Sequence, residues 1–201
     1  LAVLTTPLHR RFERNIYRDA ALVIHAIPAH AGWASARYPW ARDRMVTLTN
    51  GSPPELLSGA VTGTSNRDGG RSIRSVGHAS PDETTLIARA INARRDAHSL
   101  ELRLVGRRPE SAQEIASILG DRLTLIDRTS HSEALAEIAG GDVLVPTLSP
   151  QRPAVQGITS KLFEYVAVGR PVIVINPTAP DRELFRRTPG VRFLERPTVV
   201  Q

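Results

Sequence analysis

The chain has 201 residues of which 41% are hydrophobic, enough to bury a core in one large domain or two small ones and too many for a chain disordered throughout. It holds no cysteine, which excludes a disulfide framework and thiolate metal sites, and its six histidines show no paired ligand spacing such as HExxH, so metal catalysis is not expected. A formal charge of +6 points toward polyanions, but the arginines come in scattered ones and twos (Arg10/Arg11, Arg94/Arg95, Arg107/Arg108, Arg186/Arg187) and aromatic residues make up only 4%, so no nucleic-acid partner is expected.

No apolar run approaches the ~20 residues that cross a bilayer. The start, LAVLTTPLHRRFERN, lacks the apolar stretch and small-residue cleavage site of a signal peptide. The expectation is a cytoplasmic protein whose basic loops suit peripheral contact with anionic headgroups at the inner membrane face.

In chain order, Arg11–Arg18 is predicted as a helix, Ala21–Ala26 as a strand, Ala29–Arg37 as a helix, and Met45–Leu48 as a strand running into Asn50–Gly51. Residues 1–58 therefore supply too few elements for a doubly wound domain and are read as the tail end of one. Residues 59–70, rich in Gly, Ser, Thr and Asn, read as a linker.

From Arg71 onward short β-branched or Leu-rich runs alternate with amphipathic ones, the pattern of a parallel sheet with crossover helices. Strand Ser72–Val76 is followed by helix Pro81–Arg95, with Ser80 as N-cap and Pro81 in the first turn, and then by the buried strand Leu100–Val105. Helix Pro109–Leu119 ends at Gly120, strand Leu123–Ile126 follows, and helix Ser132–Ala139 closes at Gly140–Gly141. Strand Val143–Pro146, helix Ser160–Val168 stopped by Gly169, strand Val172–Ile175, helix Pro180–Arg187 and strand Val191–Leu194 complete the series.

Open parallel sheets bind ligands beyond the carboxyl ends of their strands, which directs attention to the loops Gly77–Pro81, Gly106–Pro109, Asp127–Ser130, Thr147–Thr159 and Asn176–Pro180. The longest, TLSPQRPAVQGIT, opens directly into SKLFEYVAVG. Unpaired N–H groups and the dipole at that helix start favour an anionic group, and Gly157 lets a phosphate approach the backbone. Glu164, one turn in, has two readings: a carboxylate that holds the vicinal hydroxyls of a ribose, or a partner for Lys161 at i, i+3. Lys161, the only lysine, either neutralises a diphosphate or is solvated. Gly169 and Pro171 read as the helix stop and the entry to the next strand.

The run SKLFEYVAVGRPVIV resembles the second half of the signature of glycosyltransferase family 4 and its relatives, enzymes of the GT-B fold, with Glu164 on that signature's second glutamate. IRSVGH is similar to the opening strand and glycine loop of the donor domain, and LELRLVG to the next strand with its glycine. The run LTLIDRTSHSEALAEIAGGDVLVPTLS is similar to the strand, base-proximal loop, short helix and aspartate-led strand of those enzymes, and residues 17–53 resemble the last strands of the acceptor domain, ending at Asn50–Gly51.

The resemblance implies an α/β fold, a Rossmann-like doubly wound parallel sheet (the GT-B donor domain, 71–201) preceded by the tail end of a second, truncated Rossmann-like domain (the acceptor domain, 1–58). It further implies that the backbone of Gly157, Ile158, Thr159 and Ser160 takes a diphosphate with Lys161 adding charge, and that Glu164 fixes the ribose. Gly77 with His78, and Gly106, belong to the same site, and Arg128 and Thr129 border the base. Two positions depart from the pattern. The first glutamate is replaced by Gln156, which can hydrogen-bond a donor sugar but carries no charge. The Arg/Lys pair of the first loop is absent, leaving His78, Lys161 and Arg152 as candidate substitutes.

By this resemblance the chain belongs to a hexosyltransferase-type enzyme that uses a UDP-, GDP- or dTDP-sugar and no further cofactor. Its acceptor is a sugar, a lipid-linked compound or a small molecule, in polysaccharide or glycoconjugate synthesis. The alternatives are a non-catalytic nucleotide-sugar-binding or partner-binding subunit, and a sugar-nucleotide epimerase of the same shape.

Overall fold

A computed structural model describes residues 7–64, 70–78, 80–94, 99–146 and 160–195. The chain divides into two compact units, the first running to Asn50 and the second starting at Gly51.

In the first unit, helix α1 (Pro7–Asp19) leads to strand β1 (Val23–His25), helix α2 (Pro28–Arg37) and strand β2 (Met45–Thr47), which pairs parallel to β1. A 3-10 helix at Pro39–Arg44, not expected from the sequence, joins α2 to β2. Its core is small: Tyr17, Ala34, Tyr38 and Ala41 are buried with Val23 and Met45 packed on them, and the rings of Tyr17 and Tyr38 stack 4.4 Å apart. The Arg44 guanidinium donates to the carbonyls of Tyr17, Arg18 and Ala20, closing the C-terminal end of α1, where carbonyls have no partner within the helix. Two apolar groups of this unit are exposed. Ile24 and Val46 sit side by side in register on one face of the strand pair, both exposed, and Leu8, Phe12 and Ile16, at helical i, i+4 spacing on α1, are 73%, 65% and 47% exposed.

The second unit holds helix α3 (Pro54–Leu57), strand β3 (Arg71–His78), helix α4 (Pro81–Asn92), strand β4 (Leu100–Arg107), helix α5 (Ala112–Leu119) and strand β5 (Leu123–Ile126). Helix α6 (His131–Ala139), strand β6 (Val143–Leu144), helix α7 (Ser160–Ala167), strand β7 (Val172–Ile175), helix α8 (Ala179–Phe185) and strand β8 (Val191–Leu194) follow. The strands form one all-parallel sheet in the order β5-β4-β3-β6-β7-β8, the doubly wound order whose reversal point lies beside β3. On one face, Leu102 and Leu104 of β4 pack with Ile87 and Ile91 of α4 and Ile115 and Leu119 of α5.

The opposite face carries charge. Arg74 of β3 is fully buried. Its Nη1 donates to Glu137 Oε2 of α6 at 2.9 Å and to the Glu137 carbonyl at 3.1 Å, its Nε to Ser72 Oγ at 2.9 Å, and its Nη2 to the Thr64 carbonyl at 3.0 Å. Arg103 of β4, in register with Arg74, places its Nε 2.8 Å from Glu137 Oε2 and its Nη1 3.6 Å from Glu101. Burial pulls the Arg74 guanidinium below its ordinary pKa, and Glu137 opposes that pull. Two arginines and two glutamates compensate one another in a place where an unpaired charge could not stay.

The same network involves the segment that leads into β3. The two compact units meet in the sequence between Asn50 and Gly51, and Gly63 and Thr64 lie against the second unit; residues 65–69 of the expected linker lie outside the described residues. The Thr64 N–H donates to the Ala136 carbonyl at 3.2 Å, and a Cβ on Gly63 would sit 2.6 Å from the backbone of Gly140. Helix starts differ as well: α1 begins at Pro7 rather than Arg11. Ser80 holds the N-cap position and Pro81 opens α4, as expected, though the Ser80 side chain makes no capping bond and the Thr84 hydroxyl donates to the Ser80 carbonyl at 2.8 Å. Helix α5 begins at Ala112 rather than Pro109.

Candidate nucleotide-binding cleft

Strands β3 and β4 stay in register to their carboxyl ends, where Gly77 pairs with Gly106. Both glycines have positive φ, +123° and +119°, a conformation that side chains resist. A Cβ on Gly106 would lie 2.3 Å from the Gly77 carbonyl oxygen, so only glycine fits there. Beyond these side-chain-free strand ends opens a cleft of about 370 Å³, with Val76 and Val105 beside the glycines at its floor. Arg107 from the end of β4, Arg128 and Thr129 from the loop after β5, and Lys161 from α7 line it. Among the described residues, no side chain pairs with the guanidiniums of Arg107 and Arg128.

The loop carrying Arg128 and Thr129 is fixed by the start of α6. Ser130 is the N-cap, and Ser130 and Glu133 form a reciprocal capping box: Glu133 Oε2 accepts from the Ser130 N–H at 2.9 Å, and Ser130 Oγ accepts from the Glu133 N–H at 3.3 Å. The same carboxylate oxygen accepts from the Thr129 hydroxyl. These bonds, the one from Thr129 foremost, hold the Glu133 carboxyl down at about 2, so it is ionised at neutral pH. The box is legible in the sequence as Ser130-His131-Ser132-Glu133 but was not expected there.

On α7, Lys161 Nζ lies 2.7 Å from Glu164 Oε2, the i, i+3 pairing that was one of the two readings. Glu164 is buried and is not one of the residues that line the cleft, while the lysine stem lies beside Gly77. One residue on, Tyr165 is fully buried. Its hydroxyl accepts from the Val76 N–H at 2.6 Å and donates to the Val76 carbonyl at 3.2 Å. Strand β6 pairs with β3 only at Ile73 and Arg74, so Tyr165 serves the β3 backbone where the neighbouring strand has ended. Burial raises the tyrosine's pKa above its ordinary value.

The structure thus gathers Gly77, Gly106, Arg128, Thr129 and Lys161 from distant parts of the sequence into one cleft, with Glu164 adjacent. Ser160 is the exposed first residue of α7. Gln156, Gly157, Ile158, Thr159 and Arg152 lie outside the described residues, as does the His78 side chain, whose backbone ends β3 opposite Arg107. Arg107 was not among the expected site residues; its signal was the Gly106-Arg107 step at the end of a buried strand. Among the described residues no group of His, Asp and Glu could hold a metal ion, and no helix is long and apolar enough to cross a membrane.

No protein-family model matches the sequence, and no curated protein matches it at a significant level. Solved structures do match. Anabaena HepE in complex with UDP is similar over 96% of this chain and 56% of its own, at 17% identity and a TM-score of 0.64. A glycosyltransferase from Rickettsia africae is similar over 94% of this chain and 53% of its own, at 14% identity and a TM-score of 0.66. A UDP-forming trehalose-phosphate synthase from Burkholderia xenovorans is similar over 95% and 53%, at 14% identity and a TM-score of 0.61. The chain spans about half the length of each. In fold it is a Rossmann-like α/β protein with a six-stranded parallel sheet, matching glycosyltransferases of the GT-B type.

Proposed function

We propose that this chain is the nucleotide-sugar-binding part of a glycosyltransferase of the family 4 type, with residues from Arg71 onward as its donor domain. The observation that carries the reading is the cleft at the carboxyl ends of β3 and β4, where Gly77 and Gly106 leave the backbone bare and Arg128, Thr129 and Lys161 converge. A nucleoside diphosphate fits that chemistry: bare backbone for close approach and cations for phosphate, with Lys161 exchanging its Glu164 partner for the diphosphate and Glu164 then turning to a ribose. The match to HepE, crystallised with UDP, adds fold-level support.

In this reading the bond between the anomeric carbon of the sugar and the diphosphate oxygen breaks. A hydroxyl oxygen of the acceptor takes its place, and the acceptor proton passes to a base or to the leaving phosphate. The cleft stabilises the departing diphosphate, where negative charge develops. The donor is a UDP-, GDP- or dTDP-sugar, and the acceptor a sugar, a lipid-linked compound or a small molecule in polysaccharide or glycoconjugate synthesis. The same proposal includes a cytoplasmic location with peripheral contact at an anionic membrane face, which co-sedimentation with anionic vesicles tests.

Isothermal titration calorimetry of the intact protein with nucleoside diphosphates and their sugars tests the site. Glu164→Ala is expected to weaken binding by ~1–3 kcal/mol, the worth of a charge-assisted hydrogen bond. No binding by the native protein, or equal binding by the variant, refutes the assignment.

A further inference from the structure

Lys161 and Tyr165 stand one turn apart on the same face of α7, the face that meets the end of β3. Tyr165 is fully buried and does not line the cleft, yet both of these bonds of its hydroxyl go to Val76, which does: the Val76 N–H donates to it at 2.6 Å, and it donates to the Val76 carbonyl at 3.2 Å. That carbonyl shares a planar peptide unit with the Gly77 N–H, so the bond that holds it also sets how Gly77, at φ +123°, faces the cleft. Strand β6 does not take this part, since it pairs with β3 at Ile73 and Arg74. One turn toward the start of α7, the Lys161 stem closes on the same glycine: a Cβ at position 77 would lie 3.9 Å from Lys161 Cε and 4.0 Å from Lys161 Cγ.

We infer that Tyr165 is a positioning residue of the cleft: its hydroxyl bolts α7 to the end of β3 and so holds Lys161 beside Gly77, where the ammonium can leave Glu164 for a phosphate. This rests on the reading of the cleft as a nucleotide site and adds to it the group that sets its geometry. A cation on a long stem is only as well aimed as the backbone that carries it, and a contact group whose support is removed drifts by about 1 Å, enough to spoil a charge-assisted bond. Tyr165, being fully buried, touches no ligand itself; it acts through Val76, Gly77 and Lys161. A tyrosine that served the sheet alone would cost stability when changed and leave affinity as it was. A positioning tyrosine costs affinity as well, and costs it through Lys161.

The test is calorimetric titration of the intact protein with UDP, GDP and dTDP, the one bound most tightly then being titrated into Tyr165→Phe, Lys161→Met, the double variant and Leu119→Ala. Leu119 is buried where α5 leads toward β5, at the amino ends of the strands, so its truncation costs stability without touching the cleft. Circular dichroism checks that each variant is folded. Tyr165→Phe is expected to lower affinity by roughly fivefold or more and Leu119→Ala by less than about twofold. Once Lys161 is methionine, Tyr165→Phe is expected to change affinity by less than about twofold, because the group that it places is gone. A loss in Tyr165→Phe below roughly fivefold, an equal loss in Leu119→Ala, or an undiminished loss in the Lys161→Met background overturns the positioning role and leaves the nucleotide site standing. Should Tyr165→Phe fail to fold, hydrogen exchange of the native protein decides. The nucleotide is expected to slow exchange of the Val76 amide more than that of the Leu102 amide in the middle of β4, and equal slowing overturns the inference. Absence of binding by all three nucleoside diphosphates overturns both the inference and the site on which it rests.

Discussion

Replacing Tyr165 by phenylalanine removes a single oxygen atom from the interior and tests how the sheet is completed. The ring stays, so no cavity of consequence forms. The change strips the Val76 N–H and carbonyl of their partner, at 2.6 and 3.2 Å, in a place where β6 has already parted from β3. A buried backbone group left unpaired costs ~1–3 kcal/mol, and the longer of the two bonds falls at the low end of that range, so the expected loss is ~2–4 kcal/mol. Urea unfolding followed by far-UV circular dichroism reads this as a lower midpoint with an unchanged m value, since the surface exposed on unfolding is the same. A loss below ~1 kcal/mol refutes the reasoning, because Val76 would then be served by solvent and Tyr165 would contribute packing alone.

Glu137→Ala is expected to destabilise by ~3–5 kcal/mol, because Arg74, fully buried, and Arg103 lose the carboxylate that compensates them; an unfolding midpoint within error of the native protein counts against that network. The Glu133 carboxyl, ordinarily near 4.5 and held at about 2, gives a sign for pH dependence. Because its folded pKa is depressed, its contribution is complete above about 4.5 and is lost as pH falls toward about 2, with the start of α6 fraying in that window. A carbon-13 titration of the Glu133 carboxyl follows it, and a midpoint near the ordinary value rules out the capping box in solution.

The strand positions from Arg71 onward were legible because parallel strands covered on both faces read as nearly continuous apolar runs, and glycines mark where the helices stop. The cleft residues were legible for a related reason: once the strands are assigned, their carboxyl ends are known, and Gly77, Gly106, Arg128 and Thr129 stand at those ends. What the sequence concealed is long-range pairing. Arg74 and Arg103 interrupt apolar strands, and nothing in their local sequence identifies Glu137 on a later helix as their partner. The place of Thr64 was hidden for the same cause, since it looks like a loop residue until Arg74 and Ala136 bond its backbone. Glu164 had two local readings, and the structure shows its pair with Lys161, an ammonium three residues away on the same helix.

The bare strand face of Ile24 and Val46 and the Leu8, Phe12 and Ile16 stripe have a colloidal consequence. Such apolar patches attract one another at contact, while a formal charge of +6 repels neighbouring molecules only out to the Debye length, ~8 Å in physiological salt and ~30 Å at 0.01 M. Copies of this 201-residue chain are therefore expected to stay dispersed in dilute buffer and to associate as salt is added, which light scattering against ionic strength reads.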